Sequence, residues 1–175
     1  MKKIFDFRFI LLTILIFLAV ASRLLPHPPN FSPVMAIALF GGAYFADKKF
    51  SFVVPIIAMI FSDAIIGFHA TLPAVYLSII LGIFIGFSLR KKVTFNRVVL
   101  SSLASSVLFY LFTNFAHWLI MGMYDMSFAG LIKCYGMALP FFRMTVAGDL
   151  IYCGVLFGVY HLAEKYVLTP NLIKK

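Results

Sequence analysis

At 175 residues, 63% hydrophobic, 12% charged and with a mean hydropathy of +1.03, the chain is too apolar for a soluble domain, in which about 25% of residues carry charge. This is the composition of an integral membrane protein forming one compact helical domain. A net charge of +9 by itself suggests nucleic acid, but the charge placement traced below reads it as a topology signal and sets that partner aside. Two cysteines, Cys134 and Cys153, have neither metal-type spacing nor the numbers of a disulfide framework.

Six apolar segments bounded by charge, Pro or Gly predict spanning helices over about residues 9–25, 34–46, 50–67, 74–89, 98–121 and 140–163. Lys2-Lys3, an apolar run and Ala19-Val20-Ala21 imitate a cleavable signal, but the further spans that follow favour a retained first helix. Between the first two helices, Pro26, Pro28 and Pro29 remove backbone donors and disfavour helix, which puts His27 and Asn30 in an extended, polyproline-like turn. Ser32-Pro33 then has the form of a helix start. The second segment is short, since about 20 residues are needed to cross the hydrocarbon core. It therefore either begins in a protein-lined recess or borrows length from the turn. Between the fifth and sixth helices, the stretch after Ser127 predicts a short helix at the interface or folded over the bundle as a lid.

Twelve of the fifteen Lys and Arg residues fall at the N-terminus, the 47–49 loop, the 90–97 loop or the C-terminus. Those segments share one side only if six helices cross, and the positive-inside bias then makes both termini cytoplasmic. The other side carries Arg23, Lys133 and Arg143 against Asp63, Asp125 and Asp149, so the excess charge belongs to the cytoplasmic face, where it attracts anionic lipid.

Polar residues inside a bilayer are costly and turn toward the bundle interior or a wet cavity. Ser102, Ser106, Tyr110, Asn114 and His117 recur at steps of four, four, four and three, which places them on one stripe of the fifth helix. On the sixth, Asp149 lies about 13 Å in from Pro140 at about 1.5 Å per residue, near the midplane. Arg143, six residues before it, faces elsewhere, so each needs a partner on another helix. Arg23 is a candidate for Asp149, as a structural ion pair, or for Asp63. His27, His69 and His117 fall near the outer ends of three helices without a Cys or Glu companion at metal spacing, so no permanent metal and no cofactor is expected. Small residues at four-residue spacing, Ala38-Gly42-Ala46, Gly82-Gly86 and Gly154-Gly158, predict close helix packing or docking to a partner. No hydrolase, zinc-protease or P-loop motif occurs, which argues against an enzyme and leaves uphill transport to another subunit.

The block R-L-L-P-H-P-P-N-F-S-P-V from Arg23, with S-D-x-x-x-G-F-H from Ser62 and T-N-F-x-x-W from Thr113, resembles a group of uncharacterised bacterial membrane proteins. That group is similar to the substrate-binding S-components of energy-coupling factor (ECF) vitamin transporters, nearest to the solitary cobalamin type. The resemblance implies an inner-membrane protein that captures a vitamin at its outer face, cobalamin or a precursor first. It also implies an ECF transmembrane subunit and ATPases as partners, although cobalamin-type members can stand alone. The implied site comprises His27, Asn30, Asp63, His69, Tyr76 and Arg143, to which the polar stripe adds Asn114, His117 and Trp118. Two features depart from the pattern. Residues 64–76 lack the cysteine with which cobalamin-type members can ligate cobalt, which leaves His69 to replace it, and the first helix lacks the A-x-x-x-A docking motif. Two other readings stay open: a small membrane enzyme or heme protein using His27, His69 and His117, and a structural subunit whose outer polar groups only bond one another.

Overall fold

A computed structural model describes residues 7–168, which build six α-helices and no strand among the described residues. Helix α1 spans Phe7–Ala21 and continues in a 3-10 turn, α2 spans Val34–Tyr44, α3 Lys48–Ile66, α4 Leu72–Phe87, α5 Phe95–Met121 and α6 Phe128–Ala163, with a π-helical turn after it. The first helix with its turn, α3, α5 and α6 are long and apolar enough to cross a membrane; α2 and α4 are shorter apolar helices. Lys2, Lys3, Asp6, Lys174 and Lys175, part of the charge pattern above, lie outside the described residues. Arg8, Lys48, Lys49, Arg90, Lys91, Lys92, Arg97 and Lys165 stand at the helix ends or short loops expected to share one side, here called the basic end.

The second helix is the axis of the fold. Every residue from Val34 to Ala43 is buried, and at about 1.5 Å per residue its 11 residues rise only about 16 Å, half of the roughly 30 Å hydrocarbon core. A helix end at such depth is tolerated only where protein satisfies its backbone. No side chain of its own segment caps the α2 N-terminus. Instead Asp149 of α6, 1% exposed, turns its carboxyl group to the backbone N–H groups of Met35 and Ala36, and its Oδ2 accepts from Ser106 Oγ at 2.6 Å. At the other end Arg90, just beyond α4, donates from Nε to the Gly42 carbonyl at 2.8 Å and from Nη2 to the Phe45 carbonyl at 2.8 Å and Ser51 Oγ at 3.0 Å. Its guanidinium also stacks on Phe87, 4.4 Å from the ring centre, and burial lowers its pKa from the usual arginine value. An acceptor at the N-terminus and a cation at the C-terminus match the unpaired groups at the two ends of the helix.

This geometry corrects one expectation: Asp149 is no ion-pair partner of Arg23. One of its oxygens is held by Ser106 and the carboxyl group faces the unpaired donors of α2, so its partners are a hydroxyl and amides, while Arg23 pairs with Asp63.

The glycine spacing has a steric cause at two of its three sites. A Cβ on Gly86 would come 2.5 Å from the Leu39 carbonyl oxygen and 3.0 Å from the Gly42 Cα, and one on Gly42 would strike the Ile83 carbonyl. The backbones of α2 and α4 thus touch, as the small-residue pattern predicts. Gly154 and Gly158 differ, since added Cβ atoms there would meet nothing within 4 Å.

The expected lid is also corrected. The stretch after Ser127 forms the first turns of α6, with the Ser127 hydroxyl accepting from the Gly130 N–H at 3.1 Å as N-cap. Pro140 does not break the helix. It lies on the exposed side, and the residue four before it, whose carbonyl its ring crowds, is the equally exposed Gly136. Side chains fasten this part of α6 to α5: Tyr110 donates to the Tyr135 carbonyl and Tyr135 to that of Leu111.

Candidate functional site

The proline-rich loop opposite the basic end is a built wall. The Phe31 N–H donates to the Pro28 carbonyl at 3.0 Å, and Asn30 has φ +62°, the pattern of a turn with Pro29 and left-handed Asn30 in its centre. The loop sits on α6 where Gly148 leaves room: a Cβ there would be 3.0 Å from the Ser32 nitrogen. The Phe31 ring packs on Tyr152, whose hydroxyl hydrogen bonds Ser22 at 2.7 Å.

Docked in this way, the loop presents Asn30 to a recess between α4, α5 and α6. One lobe, of about 280 Å³, is lined by Arg23, Asn30, His69, Thr71, Phe109, Thr113, Asn114 and His117. A second, of about 290 Å³, shares Asn30, Asn114 and His117 and is closed by Tyr124, Cys134, Met137 and Phe141. Asn30 and Asn114 also line a small cleft of about 60 Å³ between the two. The recess therefore has two lobes with one polar seam.

Each seam residue has a definite setting. The Asn114 amide donates to the Tyr110 carbonyl at 2.8 Å, which leaves its side-chain oxygen for another donor. His69 Nδ1 bonds the Thr71 hydroxyl at 2.9 Å, leaving Nε2 exposed. The His117 ring lies 6.4 Å from Tyr124. Arg23 is aimed from behind: its Nη1 donates to Asp63 Oδ1 at 2.7 Å and to Ser62, while the Tyr76 hydroxyl donates to Asp63 Oδ2 at 2.7 Å. Asp63 is 2% exposed with both oxygens occupied.

Of the residues expected to meet in one pocket, Asn30, His69, Asn114 and His117 do so, joined by Arg23. Asp63 and Tyr76 stand one layer behind, where they position the guanidinium. The other three are corrected. His27 is exposed, its ring bonded to the Pro28 carbonyl at 2.9 Å, and it lines no lobe of the recess, whereas Asn30, also exposed, borders both. Trp118 donates from Nε1 to the Asp125 carbonyl at 3.0 Å and pins the α5–α6 loop. Arg143 is exposed, since the α6 face toward α5 runs through Ala138, Phe141, Phe142 and Thr145, and residue 143 lies about 200° around from both 141 and 145 at about 100° per residue.

Thr71, Phe109, Thr113 and Tyr124 enter the recess without having been singled out. Phe109 and Thr113 were legible in principle, lying four residues apart beside the polar stripe. Among the described residues no three His, Cys, Asp or Glu side chains gather as a metal would need, and His27 does not join His69 and His117 in the recess. The arrangement suits recognition: five hydrogen-bonding side chains converge on a concave surface otherwise made of aromatic and aliphatic walls.

No curated protein and no solved structure matches the chain. One family model does match it, over residues 3–172, nearly the whole chain, and its description is a family of unknown function. The chain thus belongs to the family of unknown function DUF6580.

Proposed function

We propose that this protein is a multi-pass membrane protein that binds a small, vitamin-like molecule in the two-lobed recess and moves it across the bacterial inner membrane in the manner of an ECF S-component. The observation that carries this reading is the convergence of Asn30, His69, Asn114 and His117 with the pre-aimed Arg23 at one end of an apolar bundle. Polar side chains that close a stability network bond one another, as Asp63 and Tyr76 do here. The seam residues instead leave hydrogen-bonding atoms directed at open space, the mark of a ligand site.

The size of the lobes sharpens the ligand class. Each is near the lower end of the roughly 300–1,000 Å³ usual for small-molecule pockets. A flat, amphipathic vitamin of modest size fits that scale better than an intact cobalamin with its appended nucleotide. His69 Nε2 is the atom available to a corrinoid cobalt. Energy for uphill movement comes from a separate subunit, as the chain contains no nucleotide-binding motif.

The test is equilibrium binding by the purified full-length protein across a panel of vitamins, corrinoids and their precursors. A ligand of the proposed class binds the wild type, and Asn114→Ala or His117→Ala weakens it at least about tenfold, the loss of about 1.4 kcal/mol expected for one or two hydrogen bonds. His27→Ala and Arg143→Ala, outside the recess, leave affinity unchanged. No binding by any compound, or equal loss in all four variants, overturns the reading.

A further inference from the structure

A cavity larger than either lobe of the recess lies at the basic end, away from the recess just described. It measures about 680 Å³ and opens between the first turns of α5 and the last turns of α6. Its walls are apolar, including Val98, Cys153 and Phe157, and its floor runs past Gly154 and Gly158. At both of these glycines an added Cβ would meet nothing within 4 Å. Both glycines are exposed, so the groove opens sideways along the bundle as well as toward its end.

The rim is cationic. Lys91, Lys92 and His161 stand around it, all exposed, with Glu164 the one acid in the lining. Arg90 also lines it but is committed to the α2 carbonyls, so the donors that face a ligand are the two lysines and the imidazole. A hydrocarbon groove opening laterally below a basic rim matches one kind of molecule, an anionic amphiphile. The Lys/Arg bias puts this end at the cytoplasmic leaflet, where anionic phospholipids and basic clusters meet.

We infer that this groove is a binding site for an anionic phospholipid, with one acyl chain lying over Gly154 and Gly158 and the phosphate held by Lys91, Lys92 and His161. A packed transmembrane glycine pair has a helix against it, as Gly42 and Gly86 have each other. Here the same spacing leaves open space with basic side chains at its mouth, and the lipid fills it. The inference does not depend on the ligand of the recess.

Native mass spectrometry of the full-length protein, delipidated in neutral detergent, tests it with three probes: phosphatidylglycerol, phosphatidylcholine with the same acyl chains, and glycerol phosphate without chains. Phosphatidylglycerol is expected to bind at least about tenfold more tightly than phosphatidylcholine, and glycerol phosphate not measurably. Lys91→Gln and Lys92→Gln each reduce that preference by about fivefold. Gly154→Leu and Gly158→Leu, which add side chains into open space and leave the fold intact, weaken both lipids in parallel and keep their ratio. Equal binding of the two lipids, binding of glycerol phosphate as strong as that of the lipid, or wild-type affinity in both leucine variants overturns the assignment. So does a dimer of the protein that dissociates in the leucine variants, which would make the glycines a protein interface.

Discussion

Replacing Asp149 is the most direct test of how the buried second helix is held. Asp149→Ala removes the acceptor of the Met35 and Ala36 N–H groups and of the Ser106 hydroxyl, at a site 1% exposed where no water replaces it. A buried donor left without a partner costs about 1–3 kcal/mol. Two amides at about 2 kcal/mol each, the Ser106 hydroxyl remaining bonded to the Ser102 carbonyl, give a loss of about 4 kcal/mol. For a chain of this size about 1 kcal/mol corresponds to 2–4 °C, so the midpoint falls by about 8–16 °C. Asp149→Asn keeps one carbonyl oxygen for the amides and costs less than half of this. Thermal unfolding of the purified variants in one detergent, followed by intrinsic fluorescence or circular dichroism, reads both values. A drop below about 3 °C for Asp149→Ala, or the same drop for Asn and Ala, would refute the cap, because either result means that the carboxylate does not serve the α2 amides.

Arg90→Lys is expected to lose about 3 kcal/mol at the opposite end of α2, since an ammonium cannot reproduce the fork that reaches Gly42, Phe45 and Ser51 together; the same unfolding assay checks it. Asp63→Ala is expected to destabilise by about 3–5 kcal/mol because it strands the Arg23 guanidinium in a half-buried site, whereas His69→Ala, at an exposed position, leaves the midpoint within about 1 °C. Gly86→Ala forces the α2 and α4 backbones apart and lowers stability by about 3 kcal/mol or prevents accumulation of folded protein, seen as loss of monodisperse material in size-exclusion chromatography. Asn30→Gly keeps the left-handed turn and removes the side chain, so ligand affinity falls while the midpoint holds; Asn30→Ala adds a strain of about 1 kcal/mol that lowers the midpoint as well.

The seam of the recess was legible where helical spacing carries it. Ser106, Tyr110, Asn114 and His117 follow one face of a long regular helix, and in the structure that face turns to α6 and to the recess. Loop residues were less legible, because φ at a single position decides where a side chain goes. His27 and Asn30 are three residues apart with similar chemistry, yet across the turn at Asn30 one bonds its own loop and the other borders the recess. Arg143 was misplaced for a different reason: a charge on an apolar helix signals that a polar setting exists, without signalling which side of the helix faces it.

The sequence alone already specifies that the chain is apolar and all-helical, that charge collects at one end, and where its helices begin and end to within a few residues, except that the sixth starts at Phe128 rather than near residue 140. These properties follow from composition and periodicity, which act locally along the chain. Tertiary structure alone decided which partner each buried charge takes. Asp149 is separated by more than a hundred residues from the amides it caps, and Arg90 by more than forty from the carbonyls it binds. Nothing local to either residue records those distances. A helix of 11 residues, too short to cross a membrane, is stable at the centre of this fold because a carboxylate and a guanidinium from elsewhere in the chain complete its two ends.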